Sequence, residues 1–158
     1  MQVTSEHRIF VDADSCPARA KTIVLRAAIR LNVNVVYVAN RNIPFSMESP
    51  LFKMILVEKK EGAADDYIFE NASTKDLVIT RDIPLAKRLV DKGIITINDR
   101  GTYFDGENLK EMLKQRELSL QMASLGLHTG MSFSTYGSKE IEKFSSAFEK
   151  ACMAMLKR

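Results

Sequence analysis

The sequence predicts an α/β domain with a mainly parallel sheet, and three observations carry that prediction. Over residues 8–97, short β-branched or apolar runs alternate with segments of helical periodicity. This is the pattern of strand–helix–strand units whose helices cover both faces of a parallel sheet. After Ile97 two long helical segments follow with no strand between them, which makes residues 107–158 a helical C-terminal part of the domain. The third observation is size: 158 residues, 46% hydrophobic and 27% charged, are near the globular average and suffice for one cored domain spanning 1–158.

The first strand covers residues 8–13, where Ile9-Phe10-Val11 leads into Asp12. Residues 17–31 form a helix, because Ala20, Ile23, Val24, Ala27, Ala28 and Leu31 recur at helical spacing. Pro17 suits its first turn, and Ser15 stands where an N-cap is expected. Residues 33–39, rich in valine, read as the second strand, and 40–50 as a loop with two prolines. A third strand at 54–57 and a short helix at 63–72 follow. A strand at 77–80 comes next, after the polar turn Ser73-Thr74-Lys75-Asp76. Residues 84–92 form a helix ended by Gly93, 94–97 the last strand, and 98–106 a turn-rich loop. Helices at 107–125 and 138–156 flank a loop rich in Gly, Ser and Thr. Ser138 is placed to cap the final helix, with Glu140 and Glu142 in its first turn.

Composition excludes several classes. The longest apolar region, residues 23–39, is broken by Arg26, Arg30, Asn32 and Asn34, so no transmembrane helix and no membrane partner are expected. The N-terminus lacks the apolar core of a signal peptide. Two cysteines, Cys16 and Cys152, build neither a disulfide framework nor a four-cysteine zinc site, and a cytoplasmic location is expected. Walker A, GxGxxG and HExxH motifs are absent, which sets aside standard ATP, dinucleotide and zinc-protease chemistry. The formal charge of +3 permits nucleic-acid binding without arguing for it. With two histidines, any metal must be held mainly by oxygen.

Acidic residues mark the strand ends. Asp12 and Asp14 close the first strand, Asp65 and Asp66 sit on the short central helix, and Asp82 follows the fourth strand. In an open parallel sheet, ligands bind outside the carboxyl ends of the strands near the switch point. Asp12 and Asp82 reach one edge if their strands are neighbours, and Asp65 needs only a helix passing that edge. Converging carboxylates without histidine suit a hard cation such as Mg²⁺, which activates water and clamps phosphate esters. Without a cation, one of them is expected to protonate. The plainer reading makes each aspartate an N-cap or turn former, so the case rests on the combination.

Cys16 lies at a predicted helix start, where a dipole lowers a thiol's pKa, but a small buried hydrophobe is the favoured reading. Cys152 reads as core. Arg81, beside Asp82, and Arg100 are the candidate phosphate contacts, with Lys59 and Lys60 further basic residues. Tyr103 and Phe104 either stack on a base or cover the sheet. His128, between Gly126 and Gly130, reads as structural, with a loop over the site as the alternative.

Several motifs resemble one known family. They are Val11-Asp12-Ala13-Asp14-Ser15-Cys16-Pro17, Ala64-Asp65-Asp66-Tyr67-Ile68, and the long run from Asp76 through Thr80-Arg81-Asp82-Ile83-Pro84 to Ala86. With Lys92-Gly93, Arg100-Gly101 and Thr129-Gly130 following in order, the chain resembles the YaiI/YqxD family of uncharacterised bacterial proteins along nearly its whole length. That family is grouped with PIN-like domains, which include metal-dependent RNA nucleases. The resemblance implies a three-layer α/β/α Rossmann-like (PIN-like) fold and a site for Mg²⁺ or Mn²⁺ at Asp12, Asp65 and Asp82, with Asp14 and Asp66 as helpers. Two positions depart from the family pattern: Gly62 stands where an acid is frequent, and Met131-Ser132 replace Gly-Pro.

Three functions follow as expectations. The first is a divalent-metal-dependent nuclease acting on RNA, with Asp12, Asp65 and Asp82 at the reacting phosphate. The alternative is a non-catalytic RNA- or protein-binding module of the same fold. A haloacid-dehalogenase-type phosphatase using Asp12 and Asp14 ranks third, because Cys16-Pro17 interrupts that enzyme class's opening motif and no late acidic pair follows.

Overall fold

A computed structural model describes residues 6–127 and 135–158. His128, Thr129, Gly130, Met131 and Ser132 lie outside the described residues. The elements are β1 (Arg8–Asp12), α1 (Ala18–Leu31), β2 (Asn34–Ala39), β3 (Phe52–Leu56), α2 (Ala63–Asn71), β4 (Leu77–Ile79), α3 (Ile83–Asp91), β5 (Ile95–Ile97), α4 (Gly106–Ser124) and α5 (Ser138–Leu156). The five strands form one sheet in the order β3-β2-β1-β4-β5, and every pairing is parallel. The chain winds outward from β1 to β3, returns to β4 on the other side of β1, and continues to β5.

The strand period of two divides the core. Ile9, Val11, Val35, Tyr37, Leu77 and Ile79 face α1 and α5, where Val24, Ala28, Phe144, Phe148 and Met155 bury against them. Phe10, Val36, Val38 and Val78 face α2 and α3, meeting Ile68, Leu85 and Leu89. Helices on both faces give the three layers. Each fully buried large apolar side chain contributes about 1.5–3 kcal/mol through removal from water. The helical C-terminal part divides in two. α5 completes the sheet's covering beside α1, whereas α4 packs on α3 through Leu109, Phe104 and Ala86.

Local chemistry corrects three element boundaries. Ser15 does not cap α1. Its hydroxyl donates to the Asp12 carbonyl at 3.4 Å, and Pro17 occupies the N-cap without a side-chain bond. Ser138 is the first residue of α5, and Gly137 precedes it with its N–H donating to the Glu140 carboxylate at 3.0 Å. β3 begins at Phe52, earlier than residue 54, because Phe52 pairs with Val35 and packs its ring 5.4 Å from that of Phe45. No described helix is long and apolar enough to cross a membrane.

Candidate functional site

The strand order reverses between β1 and β4, so their carboxyl ends border the crevice where such sheets bind ligands. β1 delivers Asp12 to this crevice. β4 ends at Ile79, and Thr80, Arg81 and Asp82 form the turn into α3. α2 connects β3 to β4 and brings Asp65 to the same edge. Asp12, Asp65 and Asp82 are partly buried, whereas Asp14 and Asp66 are exposed.

Thr80 ties two of these residues together. Its buried hydroxyl donates to Asp12 Oδ2 at 3.0 Å and accepts from the Asp82 N–H at 3.0 Å. Asp82 Oδ1 caps α3 by accepting from the Leu85 N–H at 2.7 Å, and Pro84 in the first turn reinforces the helix start. The capping reading of Asp82 therefore holds for Oδ1.

Electrostatics connects the third carboxylate. Burial raises the Asp65 carboxyl to about 6; Asp82 and Asp12 add repulsion, and a hydrogen bond shared with Asp82 favours the protonated form. Burial also raises Asp12, against the opposing Thr80 hydrogen bond and with repulsion from Asp82 and Asp14. Burial first, and acidic neighbours second, thus disfavour the charged forms of Asp65 and Asp12.

The two helper aspartates turn away. Asp14 accepts from Arg41 Nε at 2.8 Å and from the Asn40 N–H at 3.3 Å, which ties it to the loop after β2. Asp66 pairs with Arg88 of α3 at 3.3 Å. Arg81 lies beside Asp82, but its fork grips Asp99 through two bonds of 2.8 and 2.6 Å. Asp99 is 2% exposed, and its carbonyl accepts from the Tyr136 hydroxyl at 2.6 Å. Arg100 faces Glu140 at 3.8 Å and the Tyr136 ring. Lys59, Lys60 and Asp65 line a cleft of about 350 Å³ that runs from Asn40 to Gly62. Gly62, where the family pattern often has an acid, precedes α2 with φ of 81°, a conformation open to glycine.

Sequence reasoning missed Thr80 and Asp99. A hydroxyl two residues before Asp82 is the signal for the first; the second lay inside a segment read as a turn. Cys16 and Cys152 are buried core thiols, each raised to about 12 chiefly by burial. Phe104 is core, while Tyr103 is 43% exposed.

The donor set bears on a metal. Among the described residues no three acidic, histidine or cysteine side chains stand close enough together to enclose one ion. The Asp65–Asp82 pair with Asp12 nearby therefore does not by itself enclose an ion.

Fold and site define an α/β Rossmann-like domain with an acidic crevice at the sheet's switch point. The family described as "Uncharacterized BCR, YaiI/YqxD family" matches residues 10–154, and the chain belongs to that family. A UPF0178 protein of Treponema denticola is 44% identical over 151 residues, covering 96% of this chain and 95% of that one. One of Legionella pneumophila strain Lens is 42% identical over 142 residues, covering 90% and 95%. A third, from Geobacter sulfurreducens, is 36% identical over 151 residues, covering 96% and 99%. No solved structure matches the chain significantly.

Proposed function

We propose that this protein is a divalent-metal-dependent phosphodiesterase acting on RNA. The observation that supports it is the meeting of Asp12, Asp65 and Asp82 at one sheet edge, with Asp65 raised to about 6 by burial and its acidic neighbours. Such a cluster is stabilised by a cation. Asp65 and Asp82 would hold it, and Asp12 would hold or orient its water. The chemistry a bound Mg²⁺ or Mn²⁺ supplies is polarisation of the phosphate and activation of water. The chain's residues do the rest. Thr80 fixes the Asp12 carboxylate, Asp99 fixes Arg81 beside Asp82, and Lys59 and Lys60 offer charge to a phosphate entering the cleft. Two buried free thiols suit a cytoplasmic setting.

The test is cleavage of a labelled single-stranded RNA with Mn²⁺, Mg²⁺ or chelator. Metal-dependent cleavage that falls at least about 100-fold in Asp65→Asn and Asp12→Asn is expected, as for loss of an electrostatic stabiliser. Cleavage surviving in both variants overturns the proposal.

A non-catalytic binding module is the second reading, favoured by the absence of an enclosed three-ligand set among the described residues. RNA binding without cleavage supports it. The phosphatase reading finds less support, since the Asp14 carboxylate that would act as its acid–base group is engaged by Arg41.

A further inference from the structure

A second feature of the carboxyl edge lies outside the acidic crevice. Between the turn after β5 and one face of α5 runs a groove of about 530 Å³, lined by Arg100, Thr102, Tyr103, Lys143, Ser146 and Lys150. Its walls are held together by close backbone approach. Gly101 has φ of 85°, and a Cβ at that position would lie 2.6 Å from the Lys143 carbonyl oxygen. The Asn98 side chain sets the turn by accepting from the N–H groups of Arg100 and Thr102, both at 2.9 Å. The groove is therefore preformed.

Its chemistry is cationic and aromatic. Lys143 and Lys150 are seven residues apart on α5, which puts them on one face about 10 Å apart along the axis. Both are exposed, and neither joins an ion pair among the described residues. Ser146 lies between them. Arg100 forms the near wall, already facing Glu140. Tyr103 is 43% exposed beside these cations. Spaced cations beside an exposed ring are the elements of a single-strand nucleic-acid track, with phosphates on the cations and a base on the ring. An acidic peptide would use the lysines but not the ring.

We propose that the groove between the turn after β5 and α5 binds single-stranded nucleic acid, with phosphates on Lys143 and Lys150 and a base stacked on Tyr103. The choice of RNA as the strand rests on the phosphodiesterase reading above. Arg100 in the groove wall follows Asp99, whose carboxylate grips Arg81 beside Asp82.

The experiment is fluorescence anisotropy of a labelled single-stranded RNA with the full chain in chelator, so that no metal contributes. Lys143→Glu with Lys150→Glu is expected to weaken binding at low salt by at least about 10-fold and to flatten the log–log salt slope by about 1.4, two phosphates' worth. The milder pair Lys143→Gln and Lys150→Gln is expected to give the same slope change with unaltered melting temperature. Tyr103→Ala should weaken binding about 10-fold while Tyr103→Phe restores it. Absence of wild-type binding, unchanged affinity in the lysine variants, or equal displacement by polyglutamate overturns the proposal. Binding without any cleavage would remove the phosphodiesterase reading and leave the groove standing.

Discussion

Thr80 has one hydroxyl and two partners. It donates to Asp12 and accepts from the Asp82 backbone, so Thr80→Val leaves a buried donor and acceptor unmatched. The expected cost is about 1–3 kcal/mol in denaturant unfolding. The Asp12 pKa should rise further, because the lost bond had favoured the charged form; carboxyl NMR titration reads it. Asp65 sets a pH dependence. Its carboxyl binds a proton more tightly in the folded state, at about 6 against an ordinary 3.8. Its contribution to stability is therefore full below pH 4 and lost as pH rises through 6. In chelator, Asp65→Asn should flatten that decline in melting temperature and stabilise the protein at pH 7. A decline of equal size in the variant would assign it elsewhere. Cys16 and Cys152, buried and raised to about 12, are expected to resist thiol reagents at pH 8 and to react only after denaturation.

At the scale of elements, Asp82 serves both a helix and a cluster. Asp82→Asn keeps a good capping oxygen, so it should leave stability within a few tenths of a kcal/mol, whereas Asp82→Ala should cost about 1 kcal/mol. Both should lose metal binding; thermal melts beside Mn²⁺ titrations separate the roles. The identity of most elements was legible because periodicity is local: α1 shows its apolar stripe in the sequence, and β2 its valine run. Boundaries that depend on partners were not legible. β3 starts at Phe52 because of Phe45, and α5 is capped from inside by Glu140 through Gly137. The separation of neighbouring aspartates was also hidden. Asp65 and Asp66 are successive on α2, so they project about 100° apart; one meets Asp82 while the other meets Arg88.

At the scale of the molecule, the order β3-β2-β1-β4-β5 makes the site. Placing β4 beside β1 brings Asp12 and Thr80 within one hydrogen bond although they are 68 positions apart. The sequence offered the strand-end acids but not their neighbourhood, since strand order follows from packing across the sheet. That packing also ranks the stability of the parts. Amides of β1, β2 and β4 should exchange slowest. Those in the distal half of α4, where Leu118 and Leu120 are exposed, should exchange fastest among the described helices. Calorimetric titration of chelator-treated protein with Mn²⁺, with and without a non-cleavable phosphodiester analogue, tests the acidic crevice as a cation site. Saturable binding is expected, tighter with the analogue and lost in Asp12→Asn and Asp65→Asn variants that remain folded. Absence of binding under both conditions, or binding that survives both substitutions, would contradict it.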